Sequence, residues 1–208
     1  MSSMASLKNE LEKASQLQEA TERSVTIAAI IAEALREIKQ DPILVGGAAV
    51  EFYTKGAFST SDLDMLAEGG EELIQIMEKL GFEKLGKDFI NKQLHIYIEF
   101  PGRGLKPSEQ SILLKVKNRN IQIISIEDLI IDRLCAFKFW KTEIEGVNAL
   151  LLMENNEVDE TRLFQRAQEE QVADALDGIL KIREQIIRKK IPPKSANQML
   201  ENLMEKLK

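Results

Sequence analysis

The 208 residues contain one cysteine, one histidine and one tryptophan, and aromatic residues make up only 5% of the chain. The single Cys135 excludes a disulfide framework and any cysteine-based zinc site. The single His95 excludes a histidine-rich metal cage. A catalytic metal in this chain must therefore be a hard cation held by carboxylates. Long apolar runs are also missing, and none approaches the ~18 residues that span a bilayer. The opening stretch MSSMASLKNELEKASQ has no apolar segment of the kind a secretory signal needs. The expected location is the cytoplasm, with no membrane partner. Positive charge is in deficit: Lys+Arg 28 against Asp+Glu 34 gives −6. Domains that coat nucleic acid through its phosphates are usually basic, so a protein or small-molecule partner is favoured over long nucleic acid.

What remains is ordinary globular material, with 44% hydrophobic and 30% charged residues. The length suits one large domain or two small ones with a core of their own. Ser6 to Gln40 contain neither Gly nor Pro, and Val25, Ile27, Ala28, Ile31, Ala34, Leu35 and Ile38 recur at helical spacing. This predicts N-terminal helices over 1–40, closing before Asp41-Pro42 because the residue ahead of a proline avoids the α region. Residues 41–125 alternate short apolar runs with Gly-Gly and Pro-Gly breaks. They predict strands at 42–45, 63–66, 89–90, 94–100, 112–116 and 121–124, with helices at 48–53 and 71–80. From Ser125 the helical period returns, with Ser125 and Asp128 spaced as a capping box. Helices are expected near 126–140, 143–154, 159–168, 171–190 and 195–207, so 126–208 is a helical C-terminal part. The fold class is α+β: a mixed sheet with flanking helices, N-terminal helices and a helical end.

The chemistry concentrates in Val45-Gly46-Gly47 and Ser61-Asp62-Leu63-Asp64. Side chains alternate along a strand, so Asp62 and Asp64 share one face, roughly 7 Å apart. Two carboxylates so placed repel each other unless a cation lies between them. In Leu94 to Phe100 the same alternation puts His95, Tyr97 and Glu99 on the polar face. Should the two strands pair, three carboxylates converge, a donor set suited to Mg²⁺ together with phosphate oxygens. The two glycines let backbone approach a phosphate, and the helix they open offers unpaired N–H groups.

Strand, Gly-Gly, short helix, Ser-Asp-Leu-Asp and a later strand carboxylate resemble the DNA polymerase β-type nucleotidyltransferase superfamily. The likeness is to its small prokaryotic branch, related to abortive-infection and toxin–antitoxin enzymes. It covers 42–100 by motif and extends loosely over 123–150. It implies a Mg²⁺-dependent nucleotidyltransferase that moves a nucleoside monophosphate from an NTP to an unidentified acceptor. Asp62, Asp64 and Glu99 would be the catalytic and metal-binding carboxylates. Gly46, Gly47, Lys55, Ser61 and Arg133 would bind the nucleotide, and the terminal helices would offer a surface for a homo-oligomer. Two positions depart from the family pattern: Glu99 stands where Asp is usual, and Phe58 where many relatives carry Arg. They motivate the alternative, a catalytically impaired relative that binds nucleotide or protein without turnover. Beyond the motifs, Arg133, Lys138 and Lys141 lie on one predicted helix or at its end, placed either to reach a nucleotide phosphate or to form a solvated face. Phe137, Phe139 and Trp140 read as core, and Cys135 as a small buried hydrophobe.

Overall fold

A computed structural model describes residues 3–207. Met1, Ser2 and Lys208, the outermost residues of the predicted terminal parts, lie outside the described residues. The chain divides into two compact units, Met1–Ser125 and Ile126–Lys208. The N-terminal helices, expected as a separate part over 1–40, belong to the same unit as the sheet.

Unit one opens with α1 (Met4–Ser15) and α2 (Ala20–Leu35). Nearly every residue of α2 from Val25 to Leu35 is buried, because the helix packs against α1 on one side and the sheet unit on the other. The alternating segment gives β1 (Ile43–Val45), α3 (Gly46–Tyr53), β2 (Asp62–Leu66), α4 (Glu71–Lys79), β3 (Glu83–Leu85), β4 (Asp88–Asn91), β5 (Ile96–Glu99), β6 (Ser111–Val116) and β7 (Arg119–Ile124). These seven strands form one mixed sheet in the order β3-β4-β5-β2-β1-β7-β6. The pairs β1–β7 and β2–β5 are parallel, and the other four are antiparallel. Leu44, Met65, Ile98 and Ile123 are buried on the central strands.

Two local differences from the sequence expectation have clear causes. β3 carries no apolar alternation and all three of its residues are exposed, so only its pairing with β4 reveals it as a strand. His95 is not in a strand. It adopts φ 54° in the turn that joins β4 to β5, where Asn91 Oδ1 accepts from the Leu94 N–H at 3.1 Å. The extended run therefore starts at Ile96 and not at Leu94.

Unit two is built from α5 (Ile126–Phe139), α6 (Glu143–Asn155), α7 (Glu160–Glu169), α8 (Ala173–Lys189) and α9 (Asn197–Met204). Among the described residues it contains no strand. Its centre holds a buried ion cluster as well as an apolar core. Asp128 accepts from Arg166 Nε at 2.8 Å and also pairs with Arg162, while Arg166 reaches Glu169 and Glu170. Phe137 is fully buried, but Phe139 and Trp140 are 53% and 78% exposed, contrary to the core placement expected for them. The helix ends at Phe139, so these two side chains leave the buried stripe. Cys135 is half-buried.

Candidate functional site

The site starts with the end of β1. Val45 is extended, and Gly46 then turns into α3 with φ +60°, a left-handed conformation that glycine adopts without strain. A Cβ at Gly46 would also overlap the Asp64 side chain, with Cγ at 2.7 Å and Cβ at 2.8 Å. Two independent constraints thus require glycine here. The Gly47 N–H, at the start of α3, donates to Asp64 Oδ2 at 3.2 Å. Glycine turn and carboxylate are therefore one connected structure.

β2 supplies the carboxylates. Asp62 is exposed and Asp64 half-buried, while Leu63 and Met65 face the opposite side and are buried. In the parallel pairing of β2 with β5, Asp62 stands opposite Tyr97 and Asp64 opposite Glu99. Partners in register lie on the same face of a sheet, so Glu99 shares the face of Asp62 and Asp64. β4 extends this row, since Asp88 stands opposite Glu99. Ser61 Oγ donates to Asp62 Oδ1 at 3.0 Å.

Two charged groups of the site were not legible in the sequence. Lys87, in the turn between β3 and β4, places Nζ 2.5 Å from Glu99 Oε1. This hydrogen bond and the charge of Glu99 raise the lysine above its ordinary value, with smaller contributions from Asp88 and Asp64. Glu51, on α3, is 1% exposed. Its Oε2 accepts from the Thr60 N–H at 3.0 Å and its Oε1 from Ser24 Oγ at 3.4 Å. Thr60 in turn lies against Gly47, where a Cβ would come within 3.1 Å of its Oγ1. Glu51 thus fixes the segment leading into Asp62. An acid on a helix ordinarily reads as a solvent-facing residue, and only the returning loop shows that this one points inward.

Lys55 and Arg133, also expected to bind nucleotide, lie outside β1, α3 and β2. Lys55 is exposed just past the end of α3, with φ 52°. Eight helical residues separate the two ends of α3, about 12 Å at 1.5 Å per residue, so the fold does not bring Lys55 to the glycine turn. Arg133 belongs to unit two, where it pairs with Asp132 and, at 3.1 Å, with Glu145. Burial opposes its charge, but these two acids outweigh burial and raise its pKa. Lys138 bonds Asp174 and the Gln171 carbonyl, and Lys141 the carbonyls of Met204 and Leu207. All three cations hold unit two together.

The donor set on the sheet is all hard oxygen. Among the described residues no three His, Cys, Asp or Glu side chains close around one point. Mg²⁺ does not need such a cage, since it is commonly bound by one or two carboxylates with waters and phosphate oxygens filling the remaining positions. Asp62 and Asp64, two residues apart on one face of β2, with Asp64 joined to the glycine turn through the Gly47 N–H, fit that pattern.

Residues 25–185 match a family described as nucleotidyltransferases of unknown function (DUF6036). No curated protein matches the chain. Among solved structures, an antigenic nucleotidyltransferase-like protein from Paracoccidioides brasiliensis superposes with a TM-score of 0.60 at 14% identity, covering 82% of this chain and 92% of that one. The mixed sheet with its helices is thus a nucleotidyltransferase-like fold.

Proposed function

The chain belongs to this family of nucleotidyltransferases of unknown function, and from that premise we propose that it transfers a nucleoside monophosphate from an NTP to a hydroxyl-bearing acceptor. The observation that supports this most directly is the joining of the glycine turn to Asp64 through the Gly47 N–H, with Glu99 in register on the same face. In the transfer, the acceptor oxygen bonds to the α-phosphorus. The bond from that phosphorus to the β-phosphate's bridging oxygen breaks, pyrophosphate leaves, and the hydroxyl proton passes to a carboxylate or to water.

The residues act mainly by position and charge. Backbone N–H groups at the start of α3, other than that of Gly47, which Asp64 engages, receive triphosphate oxygens. Asp62 and Asp64 hold Mg²⁺, which when bound neutralises charge on the triphosphate. Glu51 keeps the Thr60–Asp62 segment in place. Glu99 stands opposite Asp64 in the same row, with Lys87 as its counter-charge. A second reading, nucleotide binding without turnover, is favoured by that same ion pair, because it leaves the third carboxylate engaged by a lysine.

Calorimetric titration with Mg-NTP, followed by turnover of radiolabelled NTP, tests both readings. Asp62→Asn and Asp64→Asn are each expected to lose Mg²⁺-dependent binding and to lower transfer by about 10²–10³-fold. Asp62 is exposed, so its variant should keep wild-type stability. Binding without turnover in wild type selects the second reading. A wild-type protein that binds no Mg-NTP overturns both.

A further inference from the structure

A half-open cavity of about 400 Å³ lies in unit one at the end of β2 where Asp62 begins the strand, lined by residues of α1, the start of α2, the Thr60–Ser61 segment, Leu63, and the turn and first residues of β5. Its rim is polar, through Arg23, Ser24, Thr60, Ser61, His95 and Tyr97, and its floor apolar, through Ile27, Leu63 and Ile96. Among the described residues no Asp or Glu lines it, although acids outnumber bases in the chain as a whole. Arg23 is the fixed cation of the rim. It is half-buried and pinned by donating through Nη1 to the Leu17 carbonyl at 2.7 Å. Glu19, one turn earlier, directs its carboxylate to the Thr21 and Glu22 N–H groups of its own helix and does not line the cavity.

The walls are built rather than incidental. Ser24 on α2 and Thr60 on the loop both bond the buried Glu51, so one carboxylate behind the cavity ties its two sides together. Two lining residues neighbour the transfer site. Ser61 bonds Asp62, and Tyr97 stands opposite Asp62 in the sheet. A volume of this size takes a small molecule. A preorganised guanidinium with hydroxyls beside it selects an anionic group.

We propose that this cavity is the acceptor pocket, and that it takes a small hydroxyl-bearing organic anion whose phosphate or carboxylate pairs with Arg23. The identification as acceptor rests on the nucleotidyl-transfer reading, whereas anion binding does not. Glycerol 3-phosphate and glycerate separate the two kinds of anion, and neutral glycerol serves as the control.

His95 is the only histidine, so its imidazole C–H resonances report on the cavity rim without competing signals. Titration of the full chain at fixed pH with glycerol 3-phosphate or glycerate is expected to move them saturably, and glycerol to leave them in place. Arg23→Gln should weaken the anion by about tenfold or more, with Arg23→Lys between it and wild type and an unchanged melting temperature showing that both variants fold. Asp62→Asn should keep the anion response while losing Mg-NTP, so failure of the transfer reading and failure of the pocket give different results. The proposal is overturned if no anion moves His95, if the shift survives Arg23→Gln, or if Arg23→Gln abolishes Mg-NTP binding, which would assign the cavity to the nucleotide.

Discussion

Gly46 carries the tightest constraint at the scale of single residues. Its backbone is left-handed, and the space its side chain would occupy belongs to the Asp64 carboxylate. Gly46→Ala meets both obstacles at once. It is expected to destabilise the protein by about 1–3 kcal/mol and, because relief requires Asp64 to move, to weaken Mg-NTP binding as well. Denaturant melts and calorimetry on the same variant check this. A loss of stability with binding intact would show that the turn can shift without disturbing Asp64. Gly46, Gly47, Asp62 and Asp64 could be picked out from the sequence because a glycine pair after an apolar run and a period-two acid pair each have a local meaning. Glu51, Arg23 and Lys87 could not. Each acquires its setting from a segment distant in sequence, the Thr60 loop, the cavity wall and β5 respectively.

Elements show the same division. α2 has no N-cap Ser, Thr, Asn or Asp; Glu19 takes that position and accepts from the Thr21 and Glu22 N–H groups. Those bonds hold its carboxylate below the ordinary glutamate value. A carboxylate depressed in the folded state stabilises above its unfolded pKa, and the contribution is lost as pH falls through the folded value. Glu19→Ala should therefore melt below wild type at pH 7, and the gap should narrow as the acid range is entered. A gap independent of pH would mean that α2 is held by packing alone. In unit two, Asp128 reads from sequence as a capping residue three places after Ser125. The structure adds a buried role, as acceptor for Arg166 and Arg162. Removing one member of a buried ion cluster leaves the others uncompensated, so Asp128→Ala is expected to cost about 3–5 kcal/mol. Hydrogen exchange localised to 126–207 would be the accompanying signature, and a loss under 1 kcal/mol would show that water compensates the arginines.

For the whole molecule, stability and function are linked through ligand binding. A ligand that binds only the folded state stabilises it by about 2.7 kcal/mol at a hundredfold excess over its Kd. At this chain length each kcal/mol corresponds to roughly 2–4 °C. Mg-NTP should thus raise the melting temperature by about 5–10 °C, and chelation of the metal should remove the shift. An equal shift from NTP with chelator present would place the triphosphate on backbone and cations alone. Among the described residues no helix is long and apolar enough to cross a membrane, in keeping with the absence of any such run in the sequence.

The sequence alone determined the elements that carry a period and a stop signal: α2, α4, β2 and the succession of helices from Ile126 onward. Apolar spacing and breakers such as Gly81 or Pro192-Pro193 are local properties of the chain, and they survive folding unchanged. It also determined that Asp62 and Asp64 share a face, because strand alternation is a backbone property. Tertiary structure decided which strand lies beside β2. The β2–β5 register sets Glu99 against Asp64, and no pattern within either segment encodes it, since pairing depends on the segments between them. Tertiary structure likewise turned Glu51 inward, left Trp140 in solvent and engaged Arg133 with Glu145. Burial and partnership are relations between distant parts of a chain, and they exist only once the chain has closed on itself.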